Sequence, residues 1–473
     1  MLKVNKPIIG YLLLSFMLLQ SLGVRMGSSF IALFMPCQLI FLLFLIFYNK
    51  SFFTELYYLY KRTPFKYLIL FTIWACITVF ISLMLGTFYF NSFLVGFIGG
   101  LIFSVIFTFI CSYFICNNFI NLKTFIKFIL IFYFFVFFLG ILNYISNTYS
   151  LDIIKDFLLL FNNKRSIIFS TTSTFESNRI RSIFDEPGNL GAFIYVSAPI
   201  IYSLVVNKYK IFENCFLNFV IKKGLIPLMI LNLLFCCSPI SLLLFLLVTF
   251  MYFYKKIFYY IKKYNLIIIL MLFLIIVLMP LINLNGSYLY RIVSVFSNLG
   301  SINNLILADA SFATRIINYI NMFQVGVDFP ITGIGYGNIS KYILVKMQST
   351  NIPLTEELLK NLYSGKGGVA AAIFYKIFAE TGVIGLTLLL VFLNKIRTEL
   401  NIIKKFKNIH PLEYSFINGL SCFILFQLFV RIFYDSNLHN TYEIILYSIS
   451  IFIIIKYKTI FKGDNKNENN ILC

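Results

Sequence analysis

The run FILIFYFFVFFLGILNYIS (Phe128–Ser146) holds nineteen residues without a single charge. A stretch of that length and polarity crosses a bilayer as a helix rather than packing inside a small soluble core. Runs of similar character recur at about residues 7–23, 28–48, 67–87, 92–116, 128–146, 188–206, 224–237, 240–254, 265–283, 369–393, 412–431 and 441–456. With 60% hydrophobic and 12% charged residues and a mean hydropathy of +0.88, most of the 473-residue chain is matched to lipid. The expected fold is all-α: a polytopic membrane protein of about twelve transmembrane helices, one integral membrane domain over 1–473, with larger outside loops at 147–187 and 284–368.

A net charge of +21 suggests nucleic acid, but that reading needs a basic face on a water-soluble domain, and no segment supplies one. The charge follows topology instead. With the first segment assigned to the cytoplasm, 25 of the 39 Lys and Arg residues fall in cytoplasmic segments, 13 in outside segments, and Lys376 within a run. Both termini are then cytoplasmic. Residues 224–254 test this assignment, because Lys222 and Lys223 precede that stretch and Lys255 and Lys256 follow it. A single crossing would part the two clusters, so the Pro-containing break CCSPIS (Cys236–Ser241) is read as the turn of a helical hairpin or re-entrant pair. The first segment has the basic start and apolar core of a signal peptide but no clear small-x-small cleavage site, and is read as a retained helix. None of the nine cysteines falls in either large loop, so no disulfide framework is expected.

Function is expected in the two outside loops, where the polar material gathers. In the first, LDIIKDFLLLF (Leu151–Phe161) has the pattern of a helix lying in the interface. It leads to RIRSIFDEPGNLGAF (Arg179–Phe193), where Pro187 suits the first turn of a helix and Glu186 its cap, so a span begins with its amides facing outward. Arg179, Arg181 and the positive helix end would together hold an anion. Equally, Asp185 and Glu186 neutralise those arginines and the helix end. In the second loop, ATRIINYINMFQVGVDFPITGIGYGN (Ala313–Asn338) reads as a helix to about Gln324, ended by Gly326 and Pro330. Ile316, Ile320 and Phe323 share one face; Arg315, Asn318 and Met322 share another, so Arg315 and Asn318 can act on one ligand. GIGYGN is not a dinucleotide fingerprint, since no strand–helix–strand unit surrounds it, and its glycines are read as turns. SGKGG (Ser364–Gly368) lacks the spacing of a Walker loop. In the next span, KIFAETGVIGL (Lys376–Leu386) sets Lys376 and Glu380 four residues apart on one face, as an internal ion pair or as functional intramembrane charges. His410 is expected to be solvated; His439 lies in an outside loop near Arg431 and Asp435.

Together, about twelve spans, RIRSIFDEPGNLGAF ahead of the sixth, Arg315 with Pro330 and GIGYGN in the larger loop, and AETGVIGL soon afterwards resemble the O-antigen polymerase (Wzy-like) family of the polymerase and ligase superfamily. The likeness covers the whole chain in layout, through short motifs. Arg315 and Gly326 match the family's arginine-to-glycine loop spacing, whereas Arg181 and Gly191 miss it by one residue, leaving Arg179 or Arg181 as the counterpart. Ligase relatives carry a His-Asn pair shortly before AETG; Ala371 and Ala372 stand there, which favours polymerase. The resemblance implies joining of oligosaccharide repeat units carried on undecaprenyl pyrophosphate, at the periplasmic face of a bacterial inner membrane. It also implies a separate membrane protein that sets chain length; no cofactor is expected.

In such a transfer a sugar hydroxyl attacks the anomeric carbon of a second unit and a lipid pyrophosphate leaves. Fixed cations stabilise the departing charge most when the bond is broken. Arg179, Arg181 and Arg315 are the candidates for the pyrophosphate, with Arg291 and Asn318 as further substrate contacts. Glu186, then Asp185, is the candidate catalytic base. No Asp-x-Asp pair marks a metal site in either loop, so arginines are expected in place of a divalent ion. The expected partners are the lipid-linked oligosaccharide and the bilayer, not nucleic acid. Competing readings are a lipid-linked oligosaccharide flippase, which favours charges lining a central cavity and an internal repeat, a ligase acting on another acceptor, and a non-catalytic assembly subunit.

Overall fold

The computed structural model describes residues 6–18, 23–26, 29–32, 34–86, 88–149, 151, 153, 180, 182–184, 187–207, 209–236, 238, 240–254, 297, 298, 300–308, 310–339, 342, 343, 346, 372–406, 409–430 and 441–469. These residues are all-helical apart from one short antiparallel hairpin, Gly23–Met26 (β1) with Ser29–Ala32 (β2). A helix closes its own backbone hydrogen bonds, as a hydrocarbon environment requires. In chain order the helices are α1 (Lys6–Leu18), α2 (Phe34–Tyr48), α3 (Phe52–Arg62), α4 (Phe65–Met84), and α5 (Phe90–Phe93) running through a π-helical stretch (Leu94–Phe107) into α6 (Thr108–Phe119). There follow α7 (Leu122–Tyr149), α8 (Pro187–Val205), α9 (Cys215–Cys236), α10 (Ile240–Tyr254), α11 (Ile302–Ala308), α12 (Ala310–Asp328), α13 (Ile373–Ile403), α14 (Pro411–Val430) and α15 (Thr441–Asn469).

Seven of these helical stretches are long and apolar enough to cross a membrane: α4, Gly96–Phe119, α7, α8, α9, α13 and Pro411–Phe429. Each matches an apolar run of the sequence. The other runs behave differently for visible reasons. The hairpin takes up the start of 28–48, and the rest of that run pairs with α3 across a bend of 106°. α10 is short, and α15 holds only the uncharged run Ile444–Ile455 between Glu443 and Lys456. The run 265–283 and the interfacial helix expected at Leu151–Phe161 lie outside the described residues, except for Leu151 and Ile153.

Contacts fix the direction of α8, α9 and α10. A Cβ on Gly191, near the start of α8, would meet both Cys236 at the end of α9 and Ser241 at the start of α10. Near the other end of α8, Tyr202 shares a hydrogen bond with Thr249 (2.9 Å) and packs on Phe245, Tyr252 and Phe253. Lys222 Nζ, early in α9, reaches the Asn207 carbonyl just past α8 (2.7 Å). α9 and α10 therefore form a helical hairpin with its turn at the Pro-containing break.

A polar rim joins the ends of the helices where the basic residues gather. Glu55 meets Asn117, Lys127 meets Glu213 (3.5 Å), Asn207 bonds Ser415, Lys456 pairs with Glu413 (3.3 Å) and Lys458 with Glu399 (2.7 Å). Five of the segments that the charge count placed on one side, those around residues 55, 117–127, 207–213, 399–415 and 456–458, are thus linked at one end of the bundle. His410, at that end, is exposed, and its Nδ1 accepts from the Leu412 amide as α14 begins.

Small residues let the helices approach closely. A Cβ on Gly419 of α14 would lie 2.9 Å from Ile200 Cα and 3.1 Å from the Pro199 carbonyl oxygen, both backbone atoms of α8. Gly419→Val is expected to push α8 and α14 apart and cost about 1–3 kcal/mol, read as an earlier thermal unfolding transition of the detergent-solubilised protein.

Candidate functional site

After α12 the chain turns inward. ITGIGYGN (Ile331–Asn338) folds back through three glycines with left-handed backbones, Gly333 (φ 65°), Gly335 (φ 97°) and Gly337 (φ 86°), conformations that other residues resist. The loop docks on the AETG of α13. The amides of Ile334 and Gly335 donate to the carbonyls of Ala379 (2.9 Å) and Glu380 (3.0 Å). At Gly382 the backbone of α13 leaves the helix (φ 66°, ψ −168°), and neighbouring groups are taken up by the surroundings. The Val383 amide donates to the Pro330 carbonyl (2.8 Å), and the indole of Trp74, from α4, donates to the Thr381 carbonyl (2.8 Å). Farther along the loop, the Tyr336 amide donates to Thr78 Oγ1 (3.3 Å). Asn338 clamps two elements: its Nδ2 donates to Ser82 Oγ (3.1 Å) and its Oδ1 accepts from the Tyr89 amide (3.1 Å). Gly96 of the π-helical stretch comes so near that a Cβ there would stand 2.7 Å from Gly337 Cα. Residues 333–339 are consequently buried.

One group at this junction lacks a partner. Glu380 is 0% exposed, and neither carboxylate oxygen has a hydrogen-bond partner. The amides of Gly337 and Ile339 face it without closing a hydrogen bond of normal geometry. The ion pair that the spacing of Lys376 and Glu380 allows does not form: Lys376 stays partly exposed, one turn away, and acts on the carboxylate only through space. Tyr336 sits edge-on to Phe71 and Phe97, with ring centroids 6.2 Å away in each case. Burial pushes its phenol well above the ordinary tyrosine range, and the Glu380 carboxylate adds to the effect, so the hydroxyl keeps its proton.

α12 packs on the first turns of α13 through Tyr319 on Tyr375 (5.5 Å) and Phe323 on Phe378 (6.1 Å). It does not stop at Gly326. A Cβ there would lie 2.2 Å from the Phe378 ring, so the glycine is a packing notch, and the helix runs on to Asp328, two residues before Pro330. The buried face is the mixed one: Thr314, Ile317, Asn318, Asn321, Met322 and Val325 are buried, whereas Phe323 is 51% exposed. Asn321 Nδ2 turns back to the Ile317 carbonyl (2.9 Å), which leaves its Oδ1 without a partner, and Gln324 Oε1 is in the same position. A small core that includes Ile317, Val325, Ile334, Ile339 and Ala379 ties α12, the loop and α13 together.

Of the residues singled out in the sequence, Arg315 and Asn318 lie about one turn apart on α12, Arg315 partly exposed and Asn318 at 1%. Arg179, Arg181, Asp185, Glu186, Arg291 and His439 lie outside the described residues. Neighbours of the first four are held at α7 and α9: the Ile180 amide donates to the Phe235 carbonyl (3.2 Å), and Ser182 Oγ donates to the Val136 carbonyl (2.6 Å). α8 begins at Pro187, as its sequence predicts.

No family model matches the chain, and no curated protein shows significant similarity to it.

The chemistry of the site points to one kind of complement. All four unpartnered atoms of Asn321, Gln324 and Glu380 are oxygens that accept hydrogen bonds. Leaving each without a donor costs about 1–3 kcal/mol. Any hydroxyl donor that reached them, a buried water or a ligand hydroxyl, would recover that energy.

Proposed function

We propose that this membrane protein is a glycosyltransferase of the O-antigen polymerase kind. It joins undecaprenyl-pyrophosphate-linked oligosaccharide units at the periplasmic face of a bacterial inner membrane and releases undecaprenyl pyrophosphate. The observation that carries the reading is the set of buried acceptor oxygens without a protein partner on α12 (Asn321, Gln324) and α13 (Glu380), because a glycan is a dense array of hydroxyl donors. Val383 and Ile384, beside the break in α13, are 49% and 37% exposed, which suits a polyprenyl chain approaching from the bilayer. In this reading the chain crosses the membrane about twelve times, with both termini cytoplasmic and the loops at 147–187 and 284–368 outside. Arg315, with Arg179, Arg181 and Arg291, holds the pyrophosphate; Glu186 or Asp185 takes the hydroxyl proton; Asn318, Asn321 and Glu380 hold the glycan.

The test is purified protein with a synthetic pyrophosphate-linked repeat unit, products resolved by length. A ladder formed without added partner supports polymerisation. A single transfer to a core acceptor supports a ligase instead, and a change of sidedness without new bonds supports a flippase. Arg315→Ala and Arg181→Ala are each expected to cut elongation by well over about tenfold, since one lost charge contact in a water-excluded site costs roughly 2–4 kcal/mol. Near-normal ladders from both variants would remove the arginines from the site.

A further inference from the structure

α2 ends at Tyr48, and the chain turns through 106° into α3, FFTELYYLYKR. A helix of this sequence divides its surface three ways. Phe52 and Leu59 are buried against the bundle, where Phe52 stacks on Phe114 (4.5 Å). Phe53, Tyr57 and Tyr60 follow one another along a second flank and are 70%, 62% and 39% exposed. Lys61 stands one turn after Tyr57, at the edge of that flank, and Arg62 one turn after Tyr58 on the third, with Lys50 just before the helix and Lys66 just after it. The single acid of the helix, Glu55, is engaged by Ser51 Oγ (2.8 Å) and Asn117 Nδ2 (3.1 Å). Among the described residues none of the four cations meets a carboxylate. Three lie over aromatic rings: Lys61 over Tyr57 (5.7 Å), Arg62 over Tyr58 (4.7 Å) and Lys66 over Tyr67 (5.0 Å).

A helix set nearly across an apolar one, with exposed aromatics on one flank and unneutralised cations at its edge and on the next, has the chemistry of a membrane boundary. Rings settle at headgroup depth while Lys and Arg reach outward to phosphate. α3 also lies at the end of the bundle where the basic segments converge, through its Glu55–Asn117 contact. We infer that α3 and its flanking lysines bind the headgroups of anionic phospholipids in the leaflet at that end. This inference does not depend on the reaction proposed above.

The test uses the full-length protein in nanodiscs of equimolar phosphatidylglycerol and phosphatidylcholine, with bound lipids counted by native mass spectrometry. Each basic residue near a charged leaflet contributes roughly fivefold in attraction, so phosphatidylglycerol should be enriched at least about tenfold on the wild-type protein. Lys50→Gln, Lys61→Gln, Arg62→Gln and Lys66→Gln combined should bring the enrichment below about twofold. Raising salt to about 1 M, where charges are screened beyond roughly 3 Å, should do the same to the wild-type protein without any substitution. Equal binding of both lipids by the wild-type protein, or enrichment that survives the four substitutions or the salt, overturns the inference. So does an equal loss on substituting Lys395, Arg397 and Lys405, which lie elsewhere among the basic segments.

Discussion

Alanine at Gly382 should disconnect the outer turns of α13 from the glycine loop and lower the yield of folded protein at least about tenfold, a destabilisation of about 1.4 kcal/mol or more. Two costs combine. The backbone at φ 66°, ψ −168° is close to glycine-only territory and is strained by about 1–3 kcal/mol with any other residue. The new Cβ would then stand 2.1 Å from the Ile331 carbonyl oxygen and 2.7 Å from the Thr332 amide nitrogen. Those are backbone atoms of the docked loop, so no rotamer change relieves the contact. Moving the loop away breaks the bonds from Ile334, Gly335 and Val383 that tie it to α13. Trp74, the chain's single tryptophan, donates to Thr381 at the same break, so its emission reports directly on the junction. Gly86 supplies the control: its φ is 68°, yet nothing lies within 4 Å of the position a Cβ would take. Gly86→Ala should show the backbone cost alone. If Gly382→Ala folds as well as Gly86→Ala and leaves Trp74 emission unchanged, the loop is not locked at the break in the way described.

The same comparison shows which parts of the molecule are legible in the sequence. Membrane-length helices are, because a long uncharged run leaves few alternatives: Phe128–Ser146 falls inside α7, and the runs of α4, α8 and α14 are found as helices near their expected limits, whereas α9 starts nine residues before its run and α13 ends ten residues after its run. The turn between α9 and α10 was legible for a different reason, since a Pro-containing break flanked by basic pairs suggests a reversal of the chain, as a crossing hairpin or a re-entrant pair, that keeps those pairs together. The break inside α13 was not. Hydropathy passes smoothly through AETGVIGL, and a mid-span glycine reads as a packing notch as readily as a left-handed residue; its backbone is decided by a loop some fifty residues earlier. Gly326 shows the reverse error. It looked like a helix stop and is a notch for Phe378. Asn321 and Gln324 carried no signal, because polar residues in an outside loop are normally solvated, and only the docking of α12 on α13 takes them from water. The bend between α2 and α3 was likewise hidden, since the chain there changes from apolar to amphipathic without a glycine or proline at the corner.

Glu380→Gln should separate stability from activity. The carboxyl group is sealed, with the Gly337 and Ile339 amides facing it but no hydrogen bond of normal geometry closed, an arrangement that costs folding free energy. The backbone around it is already tied by Ile334, Gly335, Val383 and Trp74, so the junction does not need the side chain for its integrity. Glutamine has nearly the same shape and keeps one oxygen toward the Gly337 and Ile339 amides. The melting temperature of the variant should therefore equal or exceed that of the parent, as happens where a site retains a costly group for its function. Chain elongation, in contrast, should fall about 100-fold or more, because an amide offers a single acceptor oxygen where the carboxyl group offers two, and a lost hydrogen bond in a water-excluded site is costly. The loss should appear with the glycan substrate while Trp74 emission stays as in the parent protein. A variant that melts earlier and loses elongation only in proportion to unfolded protein would make Glu380 a structural residue. A variant that melts later and elongates normally would leave the unpaired oxygens without a role in glycan recognition, and with them the observation on which the proposed reaction stands.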